Sequence, residues 1–166
     1  FNPSTGKLTA KEFSGTFSGN ATSATNVSGG AAGSLVYQSA ANTTTAYTIA
    51  IGANGGYSGV TINSGNQITF GYTGLYNIQY SIQFTNSDTG NGTDNVNIWV
   101  RKNGVDVPYS NSIFNIPNSK AGVSGALIAV TPYELQVNAG DYVQIMWAVS
   151  NTGISIATTG AQTNPT

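Results

Sequence analysis

The feature that most constrains this fold is a strict two-residue alternation of apolar and polar side chains. From residue 76 to residue 84, every second position carries a large apolar group, and Asn, Gln or Ser stands between: Tyr76, Ile78, Tyr80, Ile82 and Phe84. Successive side chains of a β-strand point to opposite faces, whereas an amphipathic helix needs apolar spacings of three and four. The segment therefore predicts a strand with one buried face.

Two further segments, 96–100 and 143–149, show the same alternation. The first runs into Asn103-Gly104, a typical hairpin turn, and the second follows the turn-forming residues 138–141. Weaker patterns predict shorter strands at 47–51, 60–62, 68–70, 113–116, 126–130, 133–137 and 154–157. Many short strands separated by turn signals indicate an all-β sandwich or jelly roll.

The composition excludes several classes of function. The chain has no His and no Cys, which removes zinc sites, Cys or His nucleophiles, Ser-His-Asp triads and disulfides. Six acidic against five basic residues leave no basic stripe for nucleic acid, and no phosphate-binding glycine motif predicts a cofactor. No apolar run approaches the roughly 18 to 20 residues that cross a bilayer. We expect an uncharged, hydrated surface that suits an extracellular particle.

Residues 1–34 differ from the rest of the chain because large apolar groups are sparse there. Too little apolar surface is present to offset chain entropy in a fold of its own, which is typical of a flexible linker. The quasi-repeat around Phe13 and Phe17 instead favours an extended stem, in which three chains wind together and bury their few aromatic groups. Such a segment could reach on the order of 100 Å. Stem and linker both remain open.

Three segments, in this order, resemble the globular heads of the complement and tumour-necrosis-factor-like (TNF-like) superfamily. Residues 71–78, GYTGLYNI, are similar to the opening of one strand in those heads, and residues 96–104, VNIWVRKNG, to the next hairpin. Residues 135–143, LQVNAGDYV, resemble a later turn and strand. The resemblance covers residues 35–166. It implies a ten-strand jelly-roll sandwich that assembles as a homotrimer and has no enzyme activity.

The stem resembles another group of proteins, the bacteriophage fibres, in the text FNPSTGKLTA and in the later run FSGTFSGNATSAT. The two resemblances together imply an extracellular virion protein, with a head for host attachment or for decorating a tail or capsid. Its expected partners are two further copies, other virion proteins through the stem, and a host glycan or protein. The alternatives are a purely structural trimerisation cap and a non-viral adhesin or spore-surface protein with the same head.

Residues 86–95 form the first candidate binding loop, since they join two strands with clear alternation and hold Asp88, Asn91 and Asp94. These oxygens could contact a receptor or contribute to a calcium site, although the loop lacks the EF-hand order of ligands. Asx and Gly residues are also what long solvated turns use. Because the loop contains no large apolar residue, we expect it to have no packing role and to tolerate replacement by a short Gly-Ser turn.

Residues 109–125 are the second candidate loop, where Tyr109, Asn111, Asn115 and Asn118 could serve a sugar. An aromatic platform surrounded by amides is what glycan recognition uses. Trp99 points away from the Val96–Val100 core face, and we expect it under a loop or, as Trp is enriched in interfaces, between subunits of the trimer.

The acidic residues are numerous enough for a two-carboxylate glycosidase. The implied TNF-like head, however, fills its interior with side chains and leaves no deep cleft. We therefore expect no enzyme and no catalytic residue.

Overall fold

The computed structural model describes residues 33–52 and 59–158. These contain thirteen β-strands, as follows: β1 Ser34–Leu35, β2 Gln38–Ser39, β3 Tyr47–Thr48, β4 Ile51–Gly52, β5 Val60–Ile62, β6 Ile68–Phe70, β7 Gly74–Asn86, β8 Thr93–Lys102, β9 Val105–Asp106, β10 Ser112–Pro117, β11 Gly125–Val137, β12 Tyr142–Val149 and β13 Ile154–Ala157. No helix in this part is long and apolar enough to cross a membrane. The predicted stem, 1–34, lies outside it except for Gly33 and Ser34.

The long strands form two antiparallel sheets. The β8 sheet has the order β10-β8-β12-β6-β5, with β3 added beside β12 and β9 beside β8. The β7 sheet has the order β11-β7-β13-β2, and β1 pairs separately with β4. After β7 the chain passes to the β8 sheet for β8, β9 and β10 and returns to the β7 sheet for β11. It then crosses to the β8 sheet for β12 and back to the β7 sheet for β13. This connectivity is that of a jelly roll, so the predicted all-β sandwich is confirmed.

The core lies between the two sheets, and the alternating faces predicted from sequence are the ones that fill it. Ile82 and Phe84 of β7 meet Val96 and Ile98 of β8 and Trp147 of β12 in one buried cluster. A second cluster, nearer the other end of the same strands, is built around Phe70, Ile78, Val100, Val137 and Val143. The predicted buried faces of the segments 76–84, 96–100 and 143–149 are therefore confirmed.

Two strands predicted at 126–130 and 133–137 are one continuous strand, β11, which pairs with β7 over its whole length. Pro132, which lies between the two predicted strands, lacks the N–H that a strand interior needs. β11 is an edge strand, and an edge strand tolerates proline on its unpaired side. Conversely, the predicted strand 47–51 is divided into β3 and β4. Such short pieces raise the number of strands above the expected ten.

Candidate functional site

The structure separates the predicted binding residues into two places. Asp88 and Asn91 belong to the connection between β7 and β8, and Asp94 is the second residue of β8; all three lie at the end of the sandwich where β11 and β13 begin. Tyr109, Asn111 and Asn115 follow the edge of the β8 sheet instead, because β10 pairs with β8 from Ser112 to Pro117. The two groups therefore do not form one site.

The β7–β8 connection is held by an amide–carboxylate cluster, which consists of Asn86, Asp88, Asp94 and Asn118. The Asn86 amide, fully buried, donates from Nδ2 to Asp94 Oδ2 at 2.9 Å and to Asn118 Oδ1 at 3.3 Å. Its Oδ1 accepts the backbone N–H of Asp88 at 3.0 Å. Asn118 Nδ2 donates to Asp88 Oδ2 at 2.7 Å. Buried amides are thus satisfied by the two carboxylates that were proposed to face a receptor.

Backbone contacts fix the same loop from both sides. Ser119 N–H donates to Asp88 O at 2.7 Å, and Ser87 N–H donates to Gly153 O at 3.0 Å. A Cβ at residue 153 would stand 2.8 Å from the Asp88 nitrogen, so this approach requires glycine. The expectation that the loop has no packing role was wrong. Its polar side chains hold the loop against the sandwich by hydrogen bonds, and a Gly-Ser replacement would remove these bonds.

The calcium hypothesis receives no support from these contacts. Asp88 Oδ2 and Asp94 Oδ2 each accept an amide N–H, and donors directed at carboxylate oxygens occupy positions that a cation would need. Within the described residues, no group of three or more His, Cys, Asp or Glu side chains is placed to hold a metal ion. The third proposed ligand, Asn91, is exposed on the loop.

The second predicted loop is not a loop along its whole length. Residues 112–117 form β10, and Asn118 is buried in the amide–carboxylate cluster. The prediction that Asn118 is available to a sugar was therefore wrong. Asn111 donates from Nδ2 to Asn97 Oδ1 at 3.0 Å, and Asn115 is exposed opposite Asn95. Tyr109 is fully exposed and has a positive φ of 62°.

Trp99 lies on the outward face of β8, as its position in the alternation predicted. It stands directly opposite Met146, which is buried although it also faces outward. Trp99 Nε1 donates to Asp106 Oδ1 at 2.8 Å, and Arg101 Nε donates to the same oxygen at 2.7 Å. These two bonds, that of Arg101 first, lower the pKa of Asp106 below its ordinary value. The predicted place of Trp99 in a subunit interface stays a prediction.

At the opposite end of the sandwich, Asp141 joins two turns. Its carboxylate accepts Lys102 Nζ at 2.8 Å, the backbone N–H of Asn138 at 2.8 Å and Asn103 Nδ2 at 2.7 Å. Asn103 and Gly104 both have positive φ, as the predicted Asn-Gly hairpin requires. These hydrogen bonds, that of Lys102 first, lower the pKa of Asp141 to about 2. The site is structural, since one contact closes the 138–141 turn and the other two join it to the β8–β9 hairpin.

Asp141 makes the stability of the fold depend on pH in the acidic range. Because its folded pKa, about 2, is below the ordinary 3.8, protons bind the unfolded chain more readily. The stabilisation is complete above pH 3.8 and is lost as the pH falls toward 2. Urea denaturation between pH 5 and pH 2 should show a smaller decline for Asp141→Asn than for the wild type. Some decline remains through Asp106, and equal declines in both proteins would contradict the assignment.

Sequence reasoning missed Asn86, Arg101 and Asp106 as members of these clusters. Asn86 ends the strongest alternating strand on its apolar face, and a polar residue at a core position signals a buried hydrogen-bond network. Arg101 and Asp106 flank the Asn-Gly turn. Residues at equal distances from such a turn become cross-strand partners, and this rule predicts their pairing.

Comparison with known proteins leaves the family open. No family model matches this sequence, and no curated protein matches it. Among solved structures, Eiger TNF from S. frugiperda is similar over 83% of this chain and 92% of its own, with 12% identity and a TM-score of 0.42. A likeness at that level carries no argument about function. The jelly roll is therefore established by the strand order of the chain itself.

Proposed function

We propose that residues 35–166 form the trimeric, TNF-like head of an extracellular bacteriophage fibre that attaches to a host surface or decorates a tail or capsid. The head catalyses no reaction, and the segment before it joins other virion proteins. The observation that carries this proposal is an exposed apolar strip on the outward face of β11. It supports assembly with further copies of the same chain.

The β11 strip consists of Ala126, Ile128, Val130 and Pro132, which share the outward face because they alternate along the strand. Ile128 is 59% exposed and Val130 is 64% exposed. The residues opposite them on β7 are Gln83 and Ser81, which carry no charge. Large aliphatic groups with uncharged cross-strand neighbours favour burial against another protein, and obligate interfaces commonly bury more than roughly 2,000 Å² in total.

Sedimentation equilibrium should therefore give three times 17.0 kDa for the wild-type chain. Ile128→Lys places a charge in the strip and should shift the protein toward 17.0 kDa, because an unpaired charge buried in an interface is strongly unfavourable. Val105→Lys is the matched control, since Val105 is 71% exposed in the hairpin and should leave the trimer intact. A wild-type monomer at micromolar concentration would rule out the trimer.

Attachment is tested on the particle that carries the protein. Deleting residues 35–166 should abolish or strongly reduce adsorption to host cells, and the isolated wild-type protein should compete with the intact particle. Electron microscopy of the particle would locate the density on tail, capsid or neck. Normal adsorption after removal of the head would favour the purely structural trimerisation cap instead.

A further inference from the structure

The outward face of β8 carries a group of polar and aromatic side chains that lie outside the core. Asn97, Trp99 and Arg101 alternate along the strand on the side away from the core. Trp99 and Arg101 both donate to one oxygen of Asp106, at 2.8 Å and 2.7 Å. A shared acceptor fixes the indole and the guanidinium relative to each other. The second carboxylate oxygen takes part in neither bond.

The segment that adjoins this group, residues 107–111, carries an exposed aromatic side chain. Ser110 Oγ accepts the backbone N–H of Val100 at 3.0 Å and donates to Val107 O at 2.8 Å. These bonds hold residues 107–111 alongside β8 at Val100, the residue that follows Trp99. Tyr109 then projects into solvent, fully exposed, from a left-handed backbone position with φ 62°. Bulky side chains are rarely found in that conformation, and strain of this kind is concentrated at functional sites.

We infer that Trp99, Tyr109 and Asp106, supported by Arg101, Asn97 and Asn111, bind neutral hexopyranose units of a surface polysaccharide. The inference rests on the proposed attachment function and names its ligand class. Aromatic faces pack against the C–H groups of a pyranose ring. A carboxylate accepts hydrogen bonds from hydroxyl groups, and charge-assisted bonds of this kind are the stronger ones. The Asn111–Asn97 pair supplies further amide donors and acceptors at the same face.

The charge at this face argues for a neutral ligand. Arg101 and Asp106 form an ion pair at 2.7 Å, so their charges offset each other where the sugar would lie. An acidic polysaccharide would need an unpaired cation, which this arrangement does not offer. The site also lies on the β8 sheet, whereas the β11 strip lies on the β7 sheet. A trimer built through the β11 strip would use the other sheet, and we therefore favour a ligand over the predicted subunit interface as the contact of Trp99.

The two tryptophans allow a direct test, because Trp147 is fully buried and serves as an internal reference. The full chain, labelled with ¹⁵N, is titrated with the methyl glycosides of glucose, galactose and mannose. We expect the indole signal of Trp99 to shift with at least one of them while that of Trp147 does not. A dissociation constant on the order of 1 mM is expected for a ligand of this size. Trp99→Phe identifies which indole signal is which.

Tyr109→Ser should weaken this binding about tenfold, since removal of an aromatic anchor has effects of that size. The variant should melt at the wild-type temperature, because Tyr109 is fully exposed. Tyr37→Ser is the matched control, an exposed tyrosine before β2, and should bind like the wild type. Asp106→Asn keeps the shape of the side chain and should also weaken binding.

Three results would overturn the inference: no shift within residues 97–111 with any hexoside at about 50 mM, a response only to sialylated glycans, and unchanged binding in both Tyr109→Ser and Asp106→Asn. Adsorption assays separate this failure from failure of the proposed function. If particles with Tyr109→Ser adsorb normally and those without the head do not, the head attaches through another surface. If particles without the head adsorb normally, the attachment function itself is refuted.

Discussion

Replacing Trp147 with alanine should lower the free energy of unfolding by about 3–5 kcal/mol, the usual cost of truncating a buried tryptophan. Its side chain is fully buried between the sheets. The ring centroid lies 5.9 Å from that of Tyr47 and 6.1 Å from that of Phe84. Alanine would leave a cavity between the two sheets. The strands on both sides could close it only in part, because each is held in place by its own ladder of hydrogen bonds. Guanidinium denaturation at a fixed protein concentration measures the change.

Trp147→Phe is the matched variant for that experiment. Trp147 Nε1 is buried and has no hydrogen-bond partner in the described part of the chain. Phenylalanine keeps an aromatic ring in the core and removes this unsatisfied donor, whose burial is itself unfavourable. The phenylalanine variant should therefore lose much less stability than the alanine variant. An alanine variant as stable as the wild type would mean that β12 is out of register by one residue.

The second large effect is expected at Asn86, the centre of the amide–carboxylate cluster. Asn86→Ala should lower the free energy of unfolding by about 2–4 kcal/mol, because several buried groups lose their partners at once. Asp94 Oδ2 and Asn118 Oδ1 would lose a donor, and the backbone N–H of Asp88 would lose an acceptor. Thermal melting and hydrogen exchange of the β7–β8 connection measure the two parts of this effect, global and local.

Asn91→Ala is the control, because Asn91 is an exposed residue of the same loop. Surface substitutions of this kind usually change stability by less than about 0.5 kcal/mol. If Asn86→Ala and Asn91→Ala are equally stable, the cluster is not what holds the loop. If Asn86→Ala unfolds the loop but leaves adsorption to host cells unchanged, the loop is a structural element and recognition belongs to another surface.

Local patterning was sufficient to predict the class of the fold, the strands β7, β8 and β12 and their buried faces. A strand repeats its side-chain direction every two residues, so Ile82, Ile98 and Ile145 were recognisable as core residues in the sequence. The Asn-Gly turn was equally readable, since only a few residue types adopt positive φ easily. The composition could also exclude Cys and His nucleophiles and Ser-His-Asp triads, because the chain has no His and no Cys.

Only the tertiary structure decided what the polar residues do. Asp88 and Asp94 look like an open loop in sequence. Only the hydrogen bonds of Asp88 with the distant Asn118 and of Asp94 with Asn86 show that they are part of the packing. Pro132 ends a strand by local rules, yet it lies within β11 because that strand has a free edge. The physical reason is that hydrophobic periodicity is encoded locally, whereas a hydrogen-bond partner can come from any part of the chain. Strand order, which brings Asn86 to Asn118, is set by the packing of the whole domain.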